Sequence, residues 1–147
     1  MKPLFYIALA LMAGTFLPLQ AGINSQLRVQ LGGPALAAFV SFAVGTSALL
    51  IVLLASRAAL PENTAGISWW LWIGGGLIGV CYVLLIIVLT PILGVALSFA
   101  LIVAGQMVMS LLLDHYGLLG LPLHPLNAWR IVGAALILGG VLLIRRF

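Results

Sequence analysis

Charge is what this sequence has least of. Its 147 residues include six Lys and Arg and two Asp and Glu, so 5% are charged, against roughly 25% in an ordinary soluble domain. A water-exposed surface cannot be built from so few, which excludes a soluble globular protein. Acids are scarcest: the carboxylate side chains are Glu62 and Asp114, and neither lies inside an apolar run, so the chain lacks the intramembrane carboxylate that commonly carries protons. The single cysteine, Cys81, excludes an intrachain disulfide and says nothing about compartment. No basic stripe is present, which removes nucleic acid as a partner. A phosphate-binding glycine loop, Cys/His metal spacing and a nucleophile triad are all missing, so neither an enzyme, a metal nor a cofactor is expected.

What is there is apolar: 65% of the residues are hydrophobic, in runs of about the ~20 helical residues that a ~30 Å hydrocarbon core requires. In lipid the backbone must satisfy itself, leaving helices or closed barrels, and the runs lack the period-two alternation of barrel strands. The expected fold is all-α: five transmembrane helices near 4–27, 35–55, 68–89, 93–113 and 128–144, in one domain over 1–147. Gly32, Gly33 and Pro34 after Arg28 make a tight hairpin. A polar loop with Arg57, Pro61, Glu62 and Asn63 follows span two. Thr90, Pro91 and Gly94 break the stretch from Leu71 to Leu113, which is too long for one crossing, so spans three and four are expected to be antiparallel neighbours. Asn127 is placed to N-cap the last span. Lys2 and the apolar run from Leu4 to Leu17 also have the form of a secretory signal with Ala21 as cleavage residue, but Leu19 suits the small-residue position poorly and span one is retained.

Five crossings put the termini on opposite faces. Lys2, Arg57 and Arg130 then share one side and Arg28, Arg145 and Arg146 the other, three against three. Orientation normally follows an excess of Lys and Arg in short cytoplasmic loops, and no excess exists. Either a real preference is hidden by the placing of the span boundaries or by another signal, or the chain inserts both ways and pairs with an inverted copy of itself.

Polar groups inside spans are the candidates for function. Gln20 and Asn24 are one helical turn apart, just after Pro18, which removes a backbone hydrogen bond and can kink the helix, freeing a carbonyl near Gly14. In span four Gln106 and Ser110 have the same spacing, with Ser98 two turns earlier. Such groups can also serve as interhelical glue, worth under ~2 kcal/mol each; transport is the reading for Gln20 and Gln106, glue for Ser98 and Ser110. Tyr82 is a weaker cavity candidate, since a buried phenol usually finds a partner. Asp114 and His115, at the end of span four, form the one proton-active pair. Asp114 sits where a helix dipole disfavours an anion, so Arg130 is its expected partner and a bridge fixing the fourth loop the expected result. Trp69, Trp70, Trp72, Tyr116 and Trp129 suit an interfacial belt, and aromatic faces also hold cations. Gly75 with Gly79, Ala96 with Ala100 and Ala104, and Ala135 with Gly139 have small-residue packing spacing.

Gly105-Gln106, the run Leu111-Leu112-Leu113-Asp114-His115-Tyr116-Gly117-Leu118, and Pro122, Pro125, Arg130 and Gly133 form a pattern over the second half. Gln20, Gly22, Asn24 and Pro91-Ile92-Leu93-Gly94 extend it to the first. In these residues the chain resembles the YdcZ family of small bacterial inner-membrane proteins, part of the drug/metabolite transporter superfamily, whose larger members contain two five-helix halves of opposite orientation. The resemblance implies a multi-pass protein of the bacterial inner membrane that is one such half. An antiparallel homodimer, or a pair with a related paralogue, then makes a ten-helix bundle in the lipid bilayer. Small multidrug exporters carry a Glu in the first span where this chain has Gln20, which argues against proton-driven cation export. The resemblance implies export, and the missing intramembrane countercharge makes a small neutral, zwitterionic or amphiphilic solute the expected cargo, moved by alternating access. By their places in the spans Gln20, Asn24, Tyr82 and Gln106 are the expected binding residues, with Asp114, His115 and Arg130 coupling transport or fixing the loop. A small dual-topology ion channel and a non-transporting assembly subunit are the rival readings.

Overall fold

The structure, a computed structural model, describes residues 2–59, 61 and 63–147. The loop carboxylate Glu62 and the side chain of Lys2, both named above, lie outside the described residues. The chain forms α1 (Lys2–Leu31), α2 (Pro34–Ala55), α3 (Trp69–Leu93), α4 (Val95–Tyr116) and α5 (Ala128–Arg146), with a short 3₁₀ turn at Leu118–Gly120. The shortest, α5, has 19 residues and is about 28 Å long at 1.5 Å per residue. All five are long and apolar enough to cross a membrane, as the all-α reading expects.

Helix ends are set chiefly by glycines whose backbone other residues take up with difficulty. Gly32, at φ +75°, lets the Gly33 N–H donate to the Arg28 carbonyl at 3.0 Å, which is a Schellman close. Consequently α1 continues past the expected end at 27 to Leu31, and Arg28 lies in its last turn. Span three also departs from expectation, because the helix passes through Pro91 and stops at Leu93. The break falls at Gly94, at φ +80° and ψ 158°, a region open essentially to glycine. Proline costs a helix a backbone bond and a local clash; the Gly94 backbone leaves helical geometry altogether.

By its internal contacts the chain divides into two compact units, residues 1–92 and 93–147. In the first, Ala37 and Ala38 of α2, 0% and 3% exposed, pack against Val83 and Ile87 of α3, with Leu27 and Tyr82 alongside. The small alanine side chains leave room there for the larger Val83 and Ile87. Of the Gly75 and Gly79 pair, a side chain at Gly79 would meet the Phe42 ring 3.6 Å away, whereas Gly75 faces open space. In the second unit α4 packs on α5, with Ala104 and Val141 buried and Ala134 and Ile137 partly so, while Ala135 and Gly139 are exposed. Large apolar side chains such as Leu49, Ile51 and Leu54 remain outside. Water would penalise that surface, and hydrocarbon does not.

Candidate functional site

The hairpin of α1 and α2 has a simple register. Asn24 lies eight residues before Gly32 and Ser41 eight after Gly33, so an antiparallel pair of helices brings them opposite each other. Asn24 Nδ2 donates to Ser41 Oγ at 3.3 Å, and Gln20 Nε2, one turn earlier on α1, reaches the same oxygen at 3.5 Å. With two donors on its oxygen, Ser41 keeps its own O–H to give elsewhere. Asn24 is 4% exposed, whereas Gln20 is open. Twelve residues before Gly32 stands Gln20 and twelve after Gly33 stands Gly45, which presents no side chain across the seam. The result is a cavity of about 270 Å³ lined by Gln20, Ser41, Phe42, Gly45, Thr46 and Leu49. Its wall combines uncharged hydrogen-bonding groups with an aromatic ring and aliphatic surface, which suits a neutral or amphiphilic guest.

Sequence reasoning missed Ser41 and Thr46, because isolated hydroxyls in an apolar helix look like packing glue. Counting outward from the hairpin turn finds Ser41 at once. Arg28 is a functional contact that the sequence alone hides, because it stands beside the hairpin turn. It continues the four-residue spacing of Gln20 and Asn24, and its Nη1 donates to the Ile87 carbonyl at 3.1 Å. In a helix that carbonyl would accept from the N–H of residue 91, and Pro91 has none. The guanidinium supplies the donor that proline removes.

Tyr82 is partly buried beside Ala37 and Ala38 and does not line the cavity. Among the described residues its buried hydroxyl finds no hydrogen-bond partner, contrary to expectation, and the same holds for the hydroxyls of Ser25, Thr90 and Ser98. Gln106 is in the second unit, exposed near the midpoint of α4, and Ser110 is exposed one turn on.

Asp114, His115 and Arg130 do come together, in the connection between α4 and α5. Arg130 Nη2 donates to Asp114 Oδ2 at 2.9 Å, with both side chains about a third exposed. Arg130 Nη1 donates to the His124 carbonyl at 2.9 Å, and the His124 N–H donates to the Asp114 carbonyl at 2.8 Å. Asn127 Oδ1 caps α5 by accepting from the Arg130 N–H at 2.9 Å. His115 Nδ1 accepts from the Leu126 N–H at 3.1 Å. An ion pair this open is worth about 0–1 kcal/mol, so its main effect is geometric. Trp69, Trp72, Tyr116 and Trp129 are all well exposed near helix ends. Among the described residues no group of three His, Cys, Asp or Glu could hold a metal.

The sequence profile of a family described as "Putative inner membrane exporter, YdcZ" matches residues 5–143, nearly the whole chain. No curated protein and no solved structure matches it.

Proposed function

The chain belongs to the YdcZ family of the inner membrane, and on that premise we propose that it is a secondary transporter exporting a small neutral, zwitterionic or amphiphilic solute. The observation that carries this reading is the uncharged cavity between α1 and α2, where the Gln20 and Asn24 amides converge on Ser41. A cation would find no countercharge among the lining residues, whereas a guest with one or two hydrogen-bonding groups and an apolar body finds both kinds of surface. Gln106, a mid-helix amide of the second unit, is the other candidate contact. Transport proceeds by alternating access in an antiparallel dimer of two five-helix chains, in which every site residue occurs twice. The balance of three basic residues on each side supports insertion in both orientations.

The test is a screen of uncharged and zwitterionic solutes for thermal stabilisation of the purified chain, followed by uptake of the hits into liposomes. Gln20→Leu is expected to fold normally and to lose the stabilisation. A hit that binds Gln20→Leu and Gln106→Leu as well as the unaltered chain overturns the site. Flux at channel rates overturns alternating access. A C-terminal tag found on one face alone, with no opposite-facing related chain, overturns the inverted pair.

A further inference from the structure

We infer that His115 is a proton-binding switch that secures the stretch just before α5 while neutral and releases that stretch when protonated. The inference stands on the geometry of that connection and holds whether or not the export reading does. The Leu126 N–H donates to His115 Nδ1 at 3.1 Å, so Nδ1 must carry a lone pair and the ring proton must sit on Nε2. An imidazolium has no acceptor. Protonation therefore sets two N–H groups against each other where a hydrogen bond had been.

The second histidine of the same connection behaves in the opposite way. His124 Nδ1 lies 3.1 Å from the Pro122 carbonyl, an oxygen that can only accept. Nδ1 of His124 thus carries its proton in both charge states, and a second proton goes to Nε2 without breaking the contact. Two histidines close in sequence hold opposite tautomers, and only His115 reads proton concentration through the bond it makes.

The titratable and charged groups around His115 are few. Asp114 precedes it on α4, with its carboxylate on Arg130 of α5. Tyr116 meets the imidazole edge to face, with ring centroids 4.7 Å apart, and His124 lies on the connection. Release is local, because the bonds joining His124 to Asp114 and Arg130 do not involve the imidazole of His115. What comes free is the stretch just before α5. Its Leu126 side chain, with Leu111, Leu112 and Ile131, walls an apolar groove of about 290 Å³ between α4 and α5. Proton binding at His115 thereby loosens one wall of that groove.

The experiment is hydrogen exchange of the Leu126 amide in the purified full chain in micelles, with exchange times corrected for the intrinsic effect of pH. On going from about pH 8 to about pH 5, Leu126 protection is expected to fall roughly five- to tenfold, the effect of one lost hydrogen bond. His115→Asn places Oδ1 where Nδ1 was and cannot take up a proton, so its protection should be flat with pH. His124→Asn should keep the fall. A pH-independent Leu126 in the unaltered chain, or an unchanged fall in His115→Asn, overturns the proposal. Nitrogen chemical shifts of labelled histidines give a second reading: with both rings neutral, one Nε2–H and one Nδ1–H tautomer are expected, and two alike refute it.

Discussion

Replacing Arg28 should cost stability only while Pro91 is present. The Ile87 carbonyl belongs to a residue with 0% exposure, and the amide that would serve it within α3 is missing at Pro91. A hydrogen bond from a charged donor is worth about 1.5–3 kcal/mol, and the 3.1 Å separation between Arg28 Nη1 and the carbonyl places this one near the lower figure. Arg28→Met keeps the apolar stem and removes the donor, so it should destabilise the chain by about 1.5 kcal/mol. In a Pro91→Ala background the Ala N–H reaches the Ile87 carbonyl by the ordinary helical bond, and Arg28→Met should then cost no more than about 0.5 kcal/mol. The coupling between the two positions is thus about 1 kcal/mol, well above the ~0.3–0.5 kcal/mol scatter of additive pairs. Reversible unfolding of the four proteins by SDS in mixed micelles, followed by circular dichroism, measures it. An equal cost of Arg28→Met in both backgrounds would refute the reasoning.

Two further outcomes follow from the α1–α2 seam. Ser41→Ala removes the acceptor from the buried Asn24 amide and should destabilise by about 1 kcal/mol, whereas in an Asn24→Leu background the same change should cost little; the same unfolding assay decides. Gly45→Leu puts a side chain into the space that a glycine leaves open opposite Gln20, so it should unfold no more easily than the unaltered chain while abolishing stabilisation by any solute that binds there. Retained binding in Gly45→Leu would show that the guest sits elsewhere.

The five helices were legible because lipid imposes one rule on the backbone and composition announces the lipid. Helix ends were less so wherever proline and glycine compete. Pro91 looks like a stop signal locally, but the carbonyl it strands is served by Arg28, a residue of another helix, and no window of neighbouring residues contains that fact. Gly94 does the stopping because its backbone lies where a Cβ would clash. The Asp114–Arg130 pair was easy to foresee since charges are so sparse that the acid at the end of α4 had one base beside it. Ser41 was within reach through the symmetry of the hairpin, and Arg28 through the spacing of Gln20 and Asn24. The vacant partner of the Tyr82 hydroxyl was not, because whether a phenol finds an acceptor depends on packing detail that periodicity does not encode.

Depth in the membrane gives the exposed amides their meaning. Leu, Ile and Val on the outer faces lose nothing by meeting acyl chains, but an amide left without a partner in hydrocarbon costs several kcal/mol, about 4–8 on a cyclohexane scale. Gln20 escapes that cost at the cavity, with Ser41 beside it. Gln106 has no such partner in its own unit and stands near the middle of α4, where snorkelling to an interface is out of reach for so short a side chain. Left against hydrocarbon it would bear that cost in full. A two-fold axis lying in the membrane plane, as an inverted pair requires, carries a residue at mid-depth onto its own copy at the same depth, and residues near either surface to the opposite one. An amide at the midpoint of a span is thus the residue such an axis can pair with itself, each side chain donating to the other. The charge balance at the helix ends and this uncovered amide near the midpoint of α4 are separate features of the chain, and the inverted pair proposed above would answer both.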